Sequence, residues 1–253
     1  MIPINLNDAE IYHLPWKHVV IKNILPESTA RSISESKILS EYAETSGVPE
    51  YGKIQINALK YDEFEFSSIH EALKSPELVE FLINKFNEDV VNAYGEEANL
   101  RKNEVYPTND LCLFNKSATP FDDVWKASTS IKDQTILSHG NAKGWHLDMS
   151  NKLISGIIYF REVTDNLKES GDLLLTSSPT DAIKKIPYEF NTGIFWANLP
   201  WAWHSVTQRE VSPNNLRRTV SYHIGGNKNY NDYKHNTDKN GVPVFGFRKV
   251  NIL

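Results

Sequence analysis

The chain has 253 residues, 40% of them hydrophobic and 11% aromatic, with a formal net charge of −5. That is enough apolar material for a core, so global disorder is excluded, and the length suits one large β-rich domain with helical decoration. The lysines and arginines are scattered and outnumbered by acids, which speaks against a nucleic-acid partner. No apolar run approaches the roughly 18–20 residues of a membrane span.

Cys112 is the single cysteine, which rules out an intrachain disulfide and a cysteine-built zinc site. The first eight residues carry neither a basic start nor an apolar run, so export is not indicated and a cytoplasmic location is the expectation. In chain order, residues 16–22 predict a strand by their β-branched content. Leu25-Pro26-Glu27-Ser28 opens a polar helix reaching about Tyr42. A second helix starts at Ser75-Pro76-Glu77, where serine caps, proline takes the first turn and an acid follows. Leu78, Leu82, Phe86 and Val90 recur every fourth residue, an apolar stripe for packing against a sheet.

From about 105 onward strand signals dominate, at 111–114, 152–160, 172–175, 193–196 and 219–224. Five or more short strands between polar turns predict an antiparallel sandwich or barrel. The polar stretch 116–141 reads as a lid loop or a long surface connection. Residues 225–240 read as irregular and 242–250 as a last strand. No repeat or linker divides the chain. One domain over 1–253 is expected: a strand and supporting helices in 1–104, a core in 105–225 and a C-terminal extension in 226–253.

The chemistry concentrates in Gly144-Trp145-His146-Leu147-Asp148. On an extended strand a His-x-Asp pair places imidazole and carboxylate on one face. His204 follows 56 residues after Asp148, and Arg217 stands 13 further on, in Arg217-Arg218-Thr219. Two imidazoles and one carboxylate on one side of an iron leave the opposite positions open. His139 rivals His146 but has no acid two residues on. His223 alternates with Ser221 and Thr219, which suits a structural or substrate-contacting role better than ligation. Trp196, Trp201 and Trp203 either dry the site or fill the core, and the core reading weighs more.

Six short motifs stand in order: His146-Leu147-Asp148, Ile158-Tyr159-Phe160, Ser170-Gly171-Asp172-Leu173, Gly193-Ile194-Phe195-Trp196, His204-Ser205-Val206 and Arg217-Arg218-Thr219. Over about 105–225 the chain thereby resembles the Fe(II)/2-oxoglutarate-dependent oxygenases, most closely their prolyl-4-hydroxylase-like branch. The resemblance implies a double-stranded β-helix, a jelly-roll with flanking helices and the metal between its two sheets. It implies His146, Asp148 and His204 as the Fe(II) ligands and Arg217 as the partner of the far carboxylate of 2-oxoglutarate. Ser170 departs from the glycine usual at that turn. Neighbouring residues on a strand face opposite ways, so Arg217, with Thr219 beside it, is the expected binder, and Arg218 is expected to face outward. Asn115 and Tyr159 are candidates to border the cosubstrate, and Trp145 and Tyr222 the substrate.

The implied reaction uses O2, converts 2-oxoglutarate to succinate and CO2, and hydroxylates an unactivated C–H bond. Related halogenases carry a small residue where the carboxylate would be, so Asp148 points to hydroxylation. The expected substrate is a small polar metabolite, an amino acid or sugar derivative, and the runner-up is a protein or peptide side chain. A zinc hydrolase would more often show a helical His-Glu-x-x-His, absent here, and would give Arg217 no task. A non-catalytic jelly-roll that binds metal or sugar would need neither Asp148 nor Arg217.

Overall fold

The computed structural model describes residues 2–36, 53–56, 67–101, 105–107, 125–134, 143–148, 151–160, 171–178, 181–207 and 217–225. Side chains are described for these except 53–56, 67–68, 70, 105–107, 125–134, 143–144 and 217. The strands are β1 (Ala9–Tyr12), β2 (His18–Lys22), β3 (Lys53–Ile56), β4 (Val105–Pro107), β5 (Trp125–Gln134), β6 (Lys143–His146), β7 (Lys152–Tyr159), β8 (Leu173–Thr176), β9 (Lys184–Ile186), β10 (Thr192–Ala197), β11 (Trp203–Val206) and β12 (Arg217–Gly225). The helices are α1 (Glu27–Ser34), α2 (Ser67–Leu73) and α3 (Pro76–Tyr94).

Two sheets result. The larger runs β1-β2-β10-β7-β12-β5-β3, with β4 parallel to β5 off that path, and the smaller runs β6-β11-β8-β9. From β5 to β12 the chain crosses repeatedly between them, so residues distant in sequence meet across the gap. Trp16 Nε1, from the turn before β2, donates to the Thr176 carbonyl of β8 at 3.0 Å, which ties one sheet to the other.

The helix starting at Pro76 forms as its local signals predict. Ser75 Oγ accepts from the Leu78 N–H at 3.4 Å, Pro76 takes the first turn, and Gly95 at φ 87° ends it. Its stripe of Leu78, Val79, Leu82, Phe86 and Val90 is buried, with α3 lying against β7 and β10. Each such side chain contributes roughly 1.5–3 kcal/mol. No helix among the described residues is long and apolar enough to cross a membrane.

Register fixes which residues share a face. His18, Trp196, Ser155 and His223 are cross-strand partners in one row, with Val20, Ile194, Ile157 and Ser221 in the next and Thr192, Tyr159 and Thr219 beyond. These rows face the small sheet. The intervening residues, among them Val19, Ile21, Phe195, Ile158, Val220 and Tyr222, face the helices. On that side Gly156 lies beneath Phe195 and Tyr222, whose rings meet edge to face at 5.5 Å. A Cβ at Gly156 would lie 2.4 Å from Phe195 Cδ1, so any side chain there must displace the Phe195 ring.

Three expectations need correction. The first helix stops at Ser34, well before Tyr42. Residues 125–134 are neither lid nor surface connection: they form β5, whose pairing with β12 runs from Arg217↔Gln134 to Gly225↔Lys126. Its serines, lysines and threonine masked a period-two pattern, since Ala127, Thr129 and Ile131 pair with Ile224, Tyr222 and Val220. Third, β1 was not foreseen, because an edge strand with only one flanking partner needs little apolar content. The strands expected at 111–114 and 242–250 and the irregular 226–240 lie outside the described residues.

Candidate metal centre

β6 and β11 are neighbours in the small sheet, and their register sets His146 opposite His204. Opposed residues on antiparallel strands have Cβ atoms about 4.5–5.5 Å apart. The two imidazole centroids are 4.1 Å apart. β6 ends at His146, so Asp148 comes from the extended chain just past the last pair rather than from the strand itself. Extended alternation still returns its carboxylate to the side of His146. Its Oδ2 lies 3.8 Å from His204 Nε2.

One ligand atom from each of His146, Asp148 and His204 lies within 4.8 Å of the others, the one group of this kind among the described residues. His204 Nδ1 is 3.1 Å from the Ala202 carbonyl, which can only accept. The proton therefore sits on Nδ1, and Nε2 presents its lone pair on the side of Asp148. Two neutral imidazoles and a carboxylate, arranged on one side, fit Fe(II) and leave room for other ligands. The Trp196 ring stands 5.0 Å from that of His204, a wall behind the ligand. Trp196 is buried, as the core reading of the tryptophans expects, and its ring lies against that of His204. Trp203 is half-buried, while Trp201 is 45% exposed and is no core residue.

Two residues next to the triad were not singled out as a pair. Lys152 Nζ is 3.5 Å from Asp148 Oδ1 and 3.1 Å from His223 Nε2, with both side chains buried. The signal available in sequence was a lysine four residues after Asp148 at the head of an apolar strand. His223 thus belongs to the surroundings of the centre rather than to its ligand set.

The other anticipated residues divide by strand face. Thr219 and Tyr159 are buried cross-strand partners on the face toward the small sheet, and Tyr159 meets Tyr188 edge to face at 4.9 Å. Arg217 is the first residue of β12, with Gln134 as its backbone partner; its side chain lies outside the described residues. Asn115 and His139 also lie outside them. Tyr222 is misassigned as a substrate contact: it lies on the helix side of β12, fully buried against Phe195, and desolvation drives its hydroxyl well above the ordinary tyrosine range. Trp145 is buried and, adjacent to His146 on β6, faces away from the ligands.

Arg218 faces away from the metal as expected, but not into water. It is 4% exposed, and its Nη1 donates to the carbonyls of Ile33, Ser34 and Ser36 at the end of α1, the latter two at 2.9 and 3.3 Å. A helix C-terminus leaves carbonyls without partners and carries partial negative charge, so a guanidinium there is satisfied although buried.

No family model matches the chain, and no curated protein matches it as a relative. Among solved structures it is similar to a prolyl 4-hydroxylase from Phytophthora capsici, at 13% identity and a TM-score of 0.50, over 83% of this chain and 58% of that one. The chain therefore spans little more than half the length of that protein. It is also similar to a prolyl hydroxylase from Trichoplax adhaerens, in complex with a hypoxia inducible factor peptide fragment, at 12% identity, TM-score 0.45 and 83% coverage of each chain. HygX from Streptomyces hygroscopicus, with nickel and 2-oxoglutarate bound, matches at 10% identity and TM-score 0.44, over 83% of this chain and 82% of that one. What the first of these likenesses establishes is the fold. Two facing sheets with flanking helices form the double-stranded β-helix that the motifs implied.

Proposed function

We propose that this chain is an Fe(II)- and 2-oxoglutarate-dependent dioxygenase that hydroxylates a C–H bond of a small polar metabolite, an amino acid or sugar derivative. The observation that carries the reading is the convergence of His146, Asp148 and His204 ligand atoms within 4.8 Å. Fe(II) bound there supplies the activation of O2, coupled to conversion of 2-oxoglutarate into succinate and CO2. His146 and His204 contribute neutral nitrogens and Asp148 one negative charge. Arg217, whose guanidinium can meet a carboxylate with two parallel hydrogen bonds, takes the far end of 2-oxoglutarate, with Thr219 as a further donor and Tyr159 beside it. Trp196 helps keep water from the reacting groups. Asp148 supports hydroxylation over halogen transfer, and the acidic balance of −5 supports a small metabolite over a polyanion.

Anaerobic addition of Fe(II) and 2-oxoglutarate should produce the visible charge-transfer band of a chelated 2-oxo acid, and His146→Ala should abolish it. Metal uptake without that band would overturn the reading in favour of a hydrolase or a binding protein. Arg217→Ala should weaken 2-oxoglutarate binding about 30-fold or more, the usual effect of removing one member of a buried charge pair, while metal affinity survives. Arg218→Ala should not show this loss in folded protein. Succinate release across a metabolite panel then identifies the substrate; release with peptides alone would move it to protein side chains.

A further inference from the structure

We propose that Lys152 is a positioning residue that holds Asp148 to one metal-facing oxygen, an inference that rests on the iron-centre reading above. Strand alternation by itself would aim Lys152 elsewhere. Ser155 faces the small sheet, so an unbroken β7 would turn Lys152 toward the helices. The ladder with β12 is broken: Ile224 pairs with Ile154, yet Gly225 pairs with Lys152, leaving Leu153 as an extra residue. Such a bulge re-aims the side chain next to it. Lys152 thereby reaches the metal side, where its Nζ lies 3.1 Å from His223 Nε2 and 3.5 Å from Asp148 Oδ1.

The bulge in turn requires Gly225. A Cβ there would lie 2.2 Å from the Asn151 carbonyl oxygen and 3.0 Å from Lys152 Cα, which no side chain could relieve because both are backbone atoms. Glycine at the end of β12, an extra residue in β7 and a buried lysine thus form one device. Its effect is to divide the carboxylate. Oδ1 turns to the ammonium and Oδ2 turns to His204 Nε2, at 3.5 and 3.8 Å. An ammonium can only donate, so His223 accepts at Nε2 and anchors the lysine to the strand that begins with Arg217. A carboxylate so divided would offer a bound metal one oxygen, whereas a carboxylate without its lysine could turn both oxygens to it.

The test uses Co(II) alone as the probe, without 2-oxoglutarate. Lys152→Met should weaken Co(II) binding about 10- to 100-fold, the range for removing the outer partner of a metal ligand. It should also change the visible d–d spectrum, as the released carboxylate alters the coordination number. Lys152→Arg should restore both affinity and spectrum. A Lys152→Met protein with wild-type affinity and spectrum overturns the proposal, as does an arginine variant as impaired as the methionine one. A lowered thermal midpoint with an unchanged spectrum assigns Lys152 to structure alone and also overturns it. If Lys152→Met does not fold, Lys152→Gln, whose amide can still donate to Asp148, should fold and show the same shift at smaller size; its absence overturns the proposal equally. Failure of the wild-type chain to take up Co(II) would overturn the iron-centre reading together with this one, whereas uptake unaffected by Lys152 removes this one only.

Discussion

The two faces of the large sheet are both buried and yet chemically unlike. Toward the helices β2, β7, β10 and β12 present Val19, Ile21, Ile158, Phe195, Val220 and Tyr222. Toward the small sheet the same strands present, beside Val20, Ile194, Ile157, Tyr159 and Trp196, the polar His18, Ser155, Thr192, Thr219, Ser221 and His223, all six of these buried. Burying polar groups costs stability unless each finds a partner, and His18, Thr192 and His223 find theirs in the Trp16 carbonyl, the Phe190 carbonyl and Lys152. A face built for stability is apolar and interlocked; a face built for chemistry tolerates polar groups that the fold alone would not select. β12 shows the contrast within nine residues, with Thr219, Ser221 and His223 on one side and Val220, Tyr222 and Ile224 on the other.

Substitutions on each face should separate these roles. The largest effect is expected at the centre: at a metal concentration about 1,000 times its Kd, bound metal should stabilise the wild-type chain by about 4.1 kcal/mol, and His146→Ala should erase that gain in a thermal melt. Next is Arg218→Ala on the helix side, which strips the end of α1 of its donor and should cost about 2–4 kcal/mol in urea unfolding. If Arg218→Ala left stability intact and instead removed 2-oxoglutarate binding, the roles of the paired arginines would be reversed. Gly156→Ala, which drives a methyl into Phe195, should cost about 1–3 kcal/mol by the same measurement.

Smaller effects should change sign on the inward face. Ser155 Oγ is buried there with no hydrogen-bond partner among the described residues, so Ser155→Ala should be neutral or stabilise the fold by about 1 kcal/mol. A clear loss of stability would show that this face is also under packing constraint. The smallest concerns His18, whose pKa is lowered by burial, with only a backbone hydrogen bond to Trp16 opposing that shift. Its folded pKa lies below the unfolded value of 6.5. The unfolded chain therefore binds the proton more readily, and stability present above that pH declines as pH falls from there through the folded pKa. His18→Gln should flatten this part of the pH–stability curve.

Local rules made much of this legible. The helix from Pro76 announces itself through Ser75, Pro76 and a four-residue apolar recurrence, because capping and amphipathicity are properties of neighbouring residues. Alternation separated Arg217 from Arg218 and put Arg218 on the face it occupies on β12. It did not reveal that Arg218 ends under α1, since that depends on a helix more than 180 residues earlier. Tyr222 was misread although it shares the parity of Arg218 and not that of Arg217 and Thr219, so the same alternation already set it on the opposite face.

The sequence by itself determined the ligand types, their order and spacing, and the alternating pattern that builds two sheets, all of which follow from side-chain chemistry and the two-residue period of a strand. Only the tertiary structure decided that His146 stands opposite His204, that 125–134 completes the large sheet, and that a bulge at Leu153 turns Lys152 toward Asp148. Those outcomes are matters of register between strands far apart in the chain. Register is set by the joint packing of whole sheets and by backbone contacts such as that of Gly225 on Asn151, which no local stretch of residues encodes.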